Sequence, residues 1–378
     1  MSVEDTDSET QLSVRGLVKR FGSDFEISAV DLEVGTNEIV ALLGPSGCGK
    51  TTILRCVAGV ESPSRGEIVI GDDQVYGPGT SKPPEKRDVG MVYQNYAIWP
   101  HKTVYENVVF PLQHGYHDIP ESEYEQRVEN VLDLVEIGEL KNSPATDLSG
   151  GQQQRTALAR SLVYDPSLLL MDEPLSNLDR GLRKNMRYEL KRLHHELDLS
   201  MLYVTHNQEE AFYLADRVLI MKDGNIVERG RPRELYQRPT SPFTRRFIGE
   251  RNRFHGTIDE TDDGTHMVRT PLVDFPLENA DYIAADGSEN GAVGTSVVCF
   301  IRPSDISIGR FGHDGPGVLQ LTGSVLAEGV LGERYEVTVT FGDAQLIVHT
   351  ESDRQFDRDD EISLYFPPGS IQVYAQDH

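Results

Sequence analysis

Apolar and polar residues follow two different periods in the first two thirds of the chain. Short apolar runs at 38–43, 168–171 and 201–204 are flanked by turn residues, which is typical of buried strands in a parallel sheet. Between them, apolar residues recur at helical spacing and predict helices at 50–59, 122–136, 151–164 and 180–197. The last predicted helix is largely polar, so His194 and His195 are expected to be solvated. The alternation of strands and helices predicts an α/β layer fold.

The pattern changes near residue 249. Strand-like alternation at 335–341 and 345–349 is broken by Gly-Asp and Pro-Pro-Gly turns, which indicates a small antiparallel β-barrel or sandwich. With 378 residues the chain is longer than one average domain. We therefore expect an acidic tail at 1–11, an α/β domain at 12–248 and a small all-β domain at 249–378.

The composition indicates an acidic globular protein. Hydrophobic residues make up 38% of the chain, charged residues 26%, and the formal net charge is −25. Such a charge repels phosphates and argues against nucleic acid as a partner. No run approaches about 18 apolar residues and no secretory pattern is found, so we expect a cytosolic protein that meets a membrane only through a partner. The 3 cysteines form no C-x-x-C pair, which indicates reduced thiols.

The excess of acidic side chains also leads to a prediction about salt. Lysine is scarce and the last one is Lys222, a composition that indicates a surface suited to a salt-rich cytoplasm, with an ordinary acidic protein as the alternative. We expect the thermal unfolding midpoint to rise by several degrees from dilute to molar potassium chloride, because counterions screen the repulsion. A midpoint that stays flat or falls across this series would contradict the halophilic interpretation.

Residues 44–51 match the phosphate-binding pattern G-x-x-x-x-G-K-[ST], between a predicted strand and a predicted helix. The glycines let backbone N–H groups point inward at phosphate oxygens, and the helix N-terminus adds partial positive charge. Lys50 would neutralise the β- and γ-phosphates, and Thr51 would place its hydroxyl on Mg²⁺. The expected ATP-binding residues are Gly44, Pro45, Ser46, Gly47, Cys48, Gly49, Lys50, Thr51 and Thr52.

Two carboxylates follow the apolar run at 168–171. Asp172 would emerge beside the phosphates and hold Mg²⁺ directly or through water. Glu173 would orient and deprotonate the attacking water. On their own, two acidic residues after an apolar run are more often a strand end, but the phosphate-binding loop upstream favours a catalytic site.

Residues 148–155, Leu-Ser-Gly-Gly-Gln-Gln-Gln-Arg, resemble the signature sequence of the ABC ATPases. The resemblance covers about residues 12–247 and implies a P-loop ATPase fold with a predominantly parallel sheet and a helical subdomain. It also implies that the signature closes on ATP held by a partner subunit, so that two ATPs lie at the interface of a homodimer or heterodimer. The residues expected to act across that interface are Leu148, Ser149, Gly150, Gly151 and Gln152.

The remaining motifs of that family follow in order. The resemblance implies that Gln94 touches Mg²⁺ and the attacking water, that Asp179 links the two halves of the dimer, and that His206 contacts the γ-phosphate. Phe21 resembles the aromatic residue on which adenine stacks, with Phe25 as the alternative.

The β-rich tail resembles the OB-like (TOBE) regulatory domain of binding-protein-dependent importers. This implies an ATP-hydrolysing subunit on the cytoplasmic face of the membrane, with two permease subunits and an extracytoplasmic solute-binding protein. An exporter subunit, a non-transport ABC ATPase of translation or DNA repair, and a regulatory module without hydrolysis fit less well. The chain has one ATP-binding cassette and no coiled coil, which argues against a non-transport ATPase. Glu173 and His206 are both present, which argues against a module without hydrolysis. The junction at 247–256 favours an iron(III), polyamine, thiamine or phosphonate solute; a sugar importer of the xylose, arabinose or maltose type is the alternative.

Overall fold

A five-strand parallel layer lies at the centre of the first part of the chain, and the acidic site predicted above is at its edge. The computed structural model describes residues 9–22, 25–115, 119–249, 252–283, 292–309, 317–332, 334–351 and 355–375. These residues fall into two units, Met1–Thr244 and Arg245–His378. Each unit has its own hydrophobic core.

The first unit contains both strands and helices. Its strands are β1 (Thr10–Phe21), β2 (Phe25–Gly35), β3 (Ile39–Leu43), β4 (Arg65–Ile70), β5 (Asp73–Gly77), β6 (Thr80–Ser81), β7 (Val89–Val92), β8 (Leu168–Asp172), β9 (Ser200–Thr205), β10 (Arg217–Lys222) and β11 (Asn225–Gly230). Its helices are α1 (Lys50–Ala58), α2 (Val104–His114), α3 (Glu121–Leu134), α4 (Gly150–Leu162), α5 (Arg180–Leu197), α6 (Gln208–Leu214) and α7 (Pro232–Gln237), and α8 (Pro242–Phe247) runs across the boundary between the units.

The main sheet has the order β11-β10-β3-β9-β8-β7, and all of its pairs except β10–β11 are parallel. Leu43 pairs with Thr205, and Asp172 pairs with Val204, so β3, β8 and β9 end at the same edge of the sheet. In such sheets the ligand site lies at the carboxyl ends of the strands. The predicted α/β fold with a predominantly parallel sheet is confirmed.

A second, antiparallel sheet has the order β2-β1-β4-β5-β6. Its buried side chains share one core with α1 and with the parallel strands. Helices α2, α3 and α4 pack against one another and form a helical subdomain. Among the described residues, no helix is long and apolar enough to cross a membrane.

His194 corrects one expectation from the sequence. Its side chain is buried, because the chain turns at Asp198, where φ is +50°, and the following residues cover the end of α5. Nδ1 of His194 lies 2.7 Å from the carbonyl oxygen of Leu199. Burial lowers the pKa of this imidazole. His194 is therefore a packed residue in the last turn of α5, whereas the sequence predicted a solvated one.

The second unit consists of β-strands with short turns. Its strands are β12 (Asn252–Glu260), β13 (His266–Arg269), β14 (Phe275–Pro276), β15 (Asp281–Ile283), β16 (Ser296–Ile301), β17 (Ser307–Ile308), β18 (Leu319–Leu331), β19 (Arg334–Phe341), β20 (Ala344–Thr350), β21 (Glu361–Phe366) and β22 (Gln372–Ala375). They form two sheets, β14-β13-β12-β16-β22-β15 and β17-β21-β18-β19-β20. Alternate residues of both sheets fill one core, which gives the predicted all-β domain the form of a sandwich.

The three cysteines are free and buried. Burial raises the pKa of Cys56 to about 11 and that of Cys299 to about 12, and it also raises the pKa of Cys48. All three therefore remain protonated near neutral pH, in agreement with the predicted reduced thiols.

Candidate active site

The loop between β3 and α1 has a backbone that only glycine accommodates. Gly47 and Gly49 have φ values of +81° and +107°, in the left-handed region that side chains disfavour. A Cβ on Gly44 would lie 2.2 Å from the carbonyl oxygen of Met221. The loop leads directly into α1, whose first turn presents backbone N–H groups to an anion.

Lys50 and Thr51 begin α1 and reach across the loop. Lys50 is buried, and Nζ donates to the carbonyl oxygens of Gly44 and Pro45 at 2.8 and 2.9 Å. The hydroxyl of Thr51 donates to Oδ1 of Asp172 at 2.7 Å. Burial raises the pKa of the Asp172 carboxyl, and the hydrogen bond from Thr51 partly offsets this. A hydroxyl and a carboxylate thus face each other across the edge of the sheet.

Glu173 is the point at which three loops converge. Its φ of +45° is unusual for a residue with a side chain, and its N–H donates to the carbonyl oxygen of Val204 at 2.9 Å. Oε2 of Glu173 lies 2.9 Å from Nδ1 of His206 and accepts a hydrogen bond from Nε2 of Gln94 at 3.4 Å. The structure therefore brings together Glu173, His206 and Gln94, the three residues that the sequence predicted to be catalytic.

The turn after Glu173 is fixed by local hydrogen bonds. Ser176 donates both its N–H and its hydroxyl to the carbonyl oxygen of Glu173, at 3.2 and 2.9 Å. The amide of Asn177 donates to the carbonyl oxygen of Gln94 at 2.9 Å. Asp179 caps α5 by accepting from the N–H of Leu182 at 3.0 Å. The capping contact places Asp179 at the exposed start of the helix.

The backbone just after Gln94 is strained and held by a buried arginine. Tyr96 and Ala97 have φ values of +60° and +50°. Arg160, near the end of α4, donates to the carbonyl oxygens of Tyr96 and Ala97 at 2.8 and 2.7 Å, and its guanidinium lies 5.0 Å from the ring centroid of Trp99. Strained conformations of this kind persist where the surroundings fix them, and here Arg160 does so.

A cavity of about 390 Å³ opens beside these groups. Its lining residues are Phe21, Ser46, Gly47, Gly49, Lys50, Thr51, Thr52, Gln94 and Glu173. Phe21 ends β1 and is 41% exposed, and Nζ of Lys19 lies 5.2 Å from its ring centroid. An exposed ring at the mouth of the cavity is available for stacking. The side chain of Phe25, the alternative, lies outside the described residues.

The signature segment lies elsewhere on the unit. Within the described residues, none of Leu148–Gln152 lines this cavity. Ser149 caps α4: its hydroxyl accepts from the N–H of Gln152 at 3.4 Å, and the Gln152 side chain accepts from the N–H of Ser149 at 2.8 Å. Ser149 and Gly150 are exposed, whereas Gly151 is buried. The capped helix start therefore faces solvent.

Two contacts of the site were missed from the sequence. The sequence singled out Asp179, but it did not predict the contact that the nearby Asn177 makes with Gln94. Arg160 was not singled out, although an arginine among small apolar residues of a predicted helix is a signal of a buried charge with a specific partner.

Comparison with protein families gives matches to both units. The family model described as ABC transporter matches residues 27–176. The model of the TOBE domain matches residues 299–373.

Curated proteins match nearly the whole chain. The spermidine/putrescine import ATP-binding protein of Marinobacter nauticus is 39% identical over 94% of this chain and 91% of its own length. The Fe(3+) ions import ATP-binding protein of Vibrio cholerae is 40% identical over 90% of each. The trehalose/maltose import ATP-binding protein of Thermococcus litoralis is 38% identical over 94% of this chain and 95% of its own length. Among solved structures, cbiO1 of Clostridium perfringens, part of the ABC transporter complex cbiONQ, matches 61% of this chain and 92% of its own with a TM-score of 0.55 and 28% identity.

Proposed function

Because the chain belongs to the ATP-binding subunits of ABC importers, we propose that its ATPase energises the uptake of a small solute through Glu173, His206 and the phosphate-binding loop. The chain is an ABC-type ATPase with a C-terminal TOBE domain. The observation that supports the roles of individual residues is the convergence of Glu173, His206 and Gln94 next to Lys50 and Thr51.

We propose that Thr51, Asp172 and Gln94 hold Mg²⁺. The hydroxyl of Thr51 and the carboxylate of Asp172 are 2.7 Å apart, and oxygen ligands of this kind suit a hard cation. When bound, Mg²⁺ would neutralise charge on the β- and γ-phosphates. Lys50 would add a second positive charge beside the phosphates.

We propose that Glu173 accepts a proton from the attacking water. At 2.9 Å from Oε2, His206 can hold the carboxylate in position and contact the γ-phosphate with its other ring nitrogen. Gln94, whose Nε2 donates to the same oxygen, can help to position the water. The left-handed backbone of Glu173 directs its side chain toward His206 and Gln94.

We propose that Leu148–Gln152 complete the site of a second subunit. The exposed start of α4 and its absence from the described lining of the cavity support this role, because the N-terminus of a helix attracts anions. Asp179, at the start of α5, would link the two subunits. The second subunit is another copy of this chain or a close relative of it. The further partners proposed are two permease subunits and an extracytoplasmic solute-binding protein, with this chain peripheral on the cytoplasmic face of the membrane.

For the solute we propose the iron(III), polyamine, thiamine or phosphonate type. The relatives named for polyamine, iron(III) and trehalose/maltose differ by only a few per cent in identity, so a sugar remains the alternative. The support is the junction at 247–256, of which residues 250 and 251 lie outside the described residues.

The test of the proposed function is uptake by a strain that lacks this chain. We expect loss of uptake of one labelled substrate among ferric iron, polyamine, thiamine and phosphonate, and its recovery with the wild-type chain but not with Lys50→Ala. Loss of sugar uptake alone would overturn the proposed solute and leave the ATPase assignment intact.

A further inference from the structure

A second set of contacts supports the loops that carry Glu173 and His206. Arg183, in the first turn of α5, contacts the turn that follows Glu173. Its Nε donates to the carbonyl oxygen of Leu175 at 3.3 Å, and its Nη2 donates to that of Leu178 at 2.9 Å. The same turn is bonded back to Glu173 through Ser176. A guanidinium can hold several carbonyl oxygens at once because its donors form a rigid fork.

Glu210 makes the corresponding contacts with the loop that carries His206. It lies on α6, its side chain is 3% exposed, and its Oε2 accepts from the hydroxyls of Tyr203 at 3.1 Å and Thr205 at 2.8 Å. The hydroxyl of Thr205 in turn accepts from the N–H of Asn207 at 3.0 Å, and Asn207 accepts from the N–H of Glu210 at 3.2 Å. His206 is therefore held on both sides by residues bonded to Glu210.

The two sets of contacts meet where Nε of Arg183 lies 3.7 Å from Oε1 of Glu210. We propose that Arg183 and Glu210 are a pair of positioning residues that fixes the loop of Glu173 relative to the loop of His206, and so sets the contact on which hydrolysis depends. Neither residue lines the described cavity, so both act through Glu173 and His206. The inference rests on the roles proposed for those two residues.

The chain supplies a matched control. Glu209 precedes Glu210 on the same helix and pairs with Arg187, one turn further along α5, at 3.4 Å. Glu209 is 76% exposed, in contrast to Glu210. Both pairs join α5 to α6, but in the described structure it is Arg183 and Glu210 that are hydrogen-bonded to the loops of Glu173 and His206. An ion pair with a solvent-exposed carboxylate contributes little, so loss of the Glu209 charge should have little effect.

The decisive comparison is Glu210→Gln against Glu209→Gln in the full chain. Glutamine keeps the shape of the side chain but removes the charge that faces Arg183. We expect kcat for ATP hydrolysis to fall about 10- to 100-fold with KM for ATP unchanged, because small displacements of catalytic groups have effects of this size. Glu209→Gln should stay within about twofold of wild type, as expected for a weak exposed pair.

A double variant distinguishes a positioning role of the pair from a purely structural one, because only a positioning role gives rate losses that do not add. In a chain that already carries Glu173→Gln, adding Glu210→Gln should not reduce the residual hydrolysis further, because residues that act as a unit are not additive. Arg183→Lys provides a second variant if Glu210→Gln does not fold. It keeps the charge, loses the fork over the carbonyl oxygens, and should lower kcat at constant KM.

Three results would overturn the inference: a normal kcat in every folded variant of the pair, a rate loss that adds to that of Glu173→Gln, or a rate loss that matches the unfolded fraction measured by thermal unfolding. Failure of the proposed function would give a different result for Glu173→Gln. If the proposed function is wrong, Glu173→Gln hydrolyses ATP normally; if only the inference about the Arg183–Glu210 pair is wrong, Glu173→Gln is still inactive.

Discussion

Replacing Glu173 by glutamine is expected to lower ATP turnover by about 10²–10⁴-fold while ATP binding is retained. Glutamine has nearly the shape of glutamate but cannot accept the proton of the attacking water. Lys50 and the loop glycines, which contact the phosphates in the proposed mechanism, are unchanged. With both signature segments intact and hydrolysis blocked, the ATP-bound dimer should accumulate.

The measurements are phosphate release and particle size by light scattering, each with Mg·ATP. Glu209→Gln is the control for loss of one carboxylate on the same unit, since the Glu209 side chain is exposed and pairs with Arg187. If Glu173→Gln releases phosphate at nearly the wild-type rate, Glu173 is not the base.

Mixing two inactive variants is expected to restore ATPase activity if the site is shared between subunits. Lys50→Ala removes the charge that binds phosphate and should abolish nucleotide binding. Ser149→Arg places a bulky cation at the exposed start of α4 and should spare binding but block dimerisation with itself. In a mixed dimer, the loop of the Ser149→Arg subunit faces the intact signature of the Lys50→Ala subunit, which reconstitutes one complete site.

The experiment follows ATP turnover of each variant alone, of both together, and of wild type. Recovery on mixing, with neither variant active alone, supports catalysis across the interface. A Ser149→Arg variant with normal cooperative turnover, or a pair that stays inactive although mixed dimers form, contradicts it.

The main residues of the site could be predicted because each belongs to a short motif that is continuous in sequence. Gly44–Thr51 and Asp172–Glu173 follow apolar strands, so the ends of β3 and β8 had to lie at the same edge of a parallel sheet. The pairing of Glu173 with His206 follows from the same geometry, since β9 lies between β3 and β8.

Other features could not be predicted because they depend on tertiary contacts. No pattern predicts left-handed backbone at Tyr96 and Ala97, which are not glycines; Arg160 fixes it from a distant helix. His194 lies in a polar helix, and its burial follows from the path of the chain after Asp198. Arg183 and Arg187 lie on the same helix, and Glu209 and Glu210 are adjacent, so sequence alone does not show which arginine pairs with which glutamate or that Glu210 is the buried one.

Helix α4 has a different task at each end. Ser149 caps its exposed start, and Arg160, near its other end, grips the strained turn after Gln94. An α-helix of this length is a stiff rod of roughly 20 Å, at about 1.5 Å per residue. A displacement of the start of α4 is therefore expected to displace the turn after Gln94, because the helix between them has no flexible joint. If the start of α4 engages nucleotide held by a neighbouring subunit, as proposed, the same helix would carry that contact to the turn after Gln94.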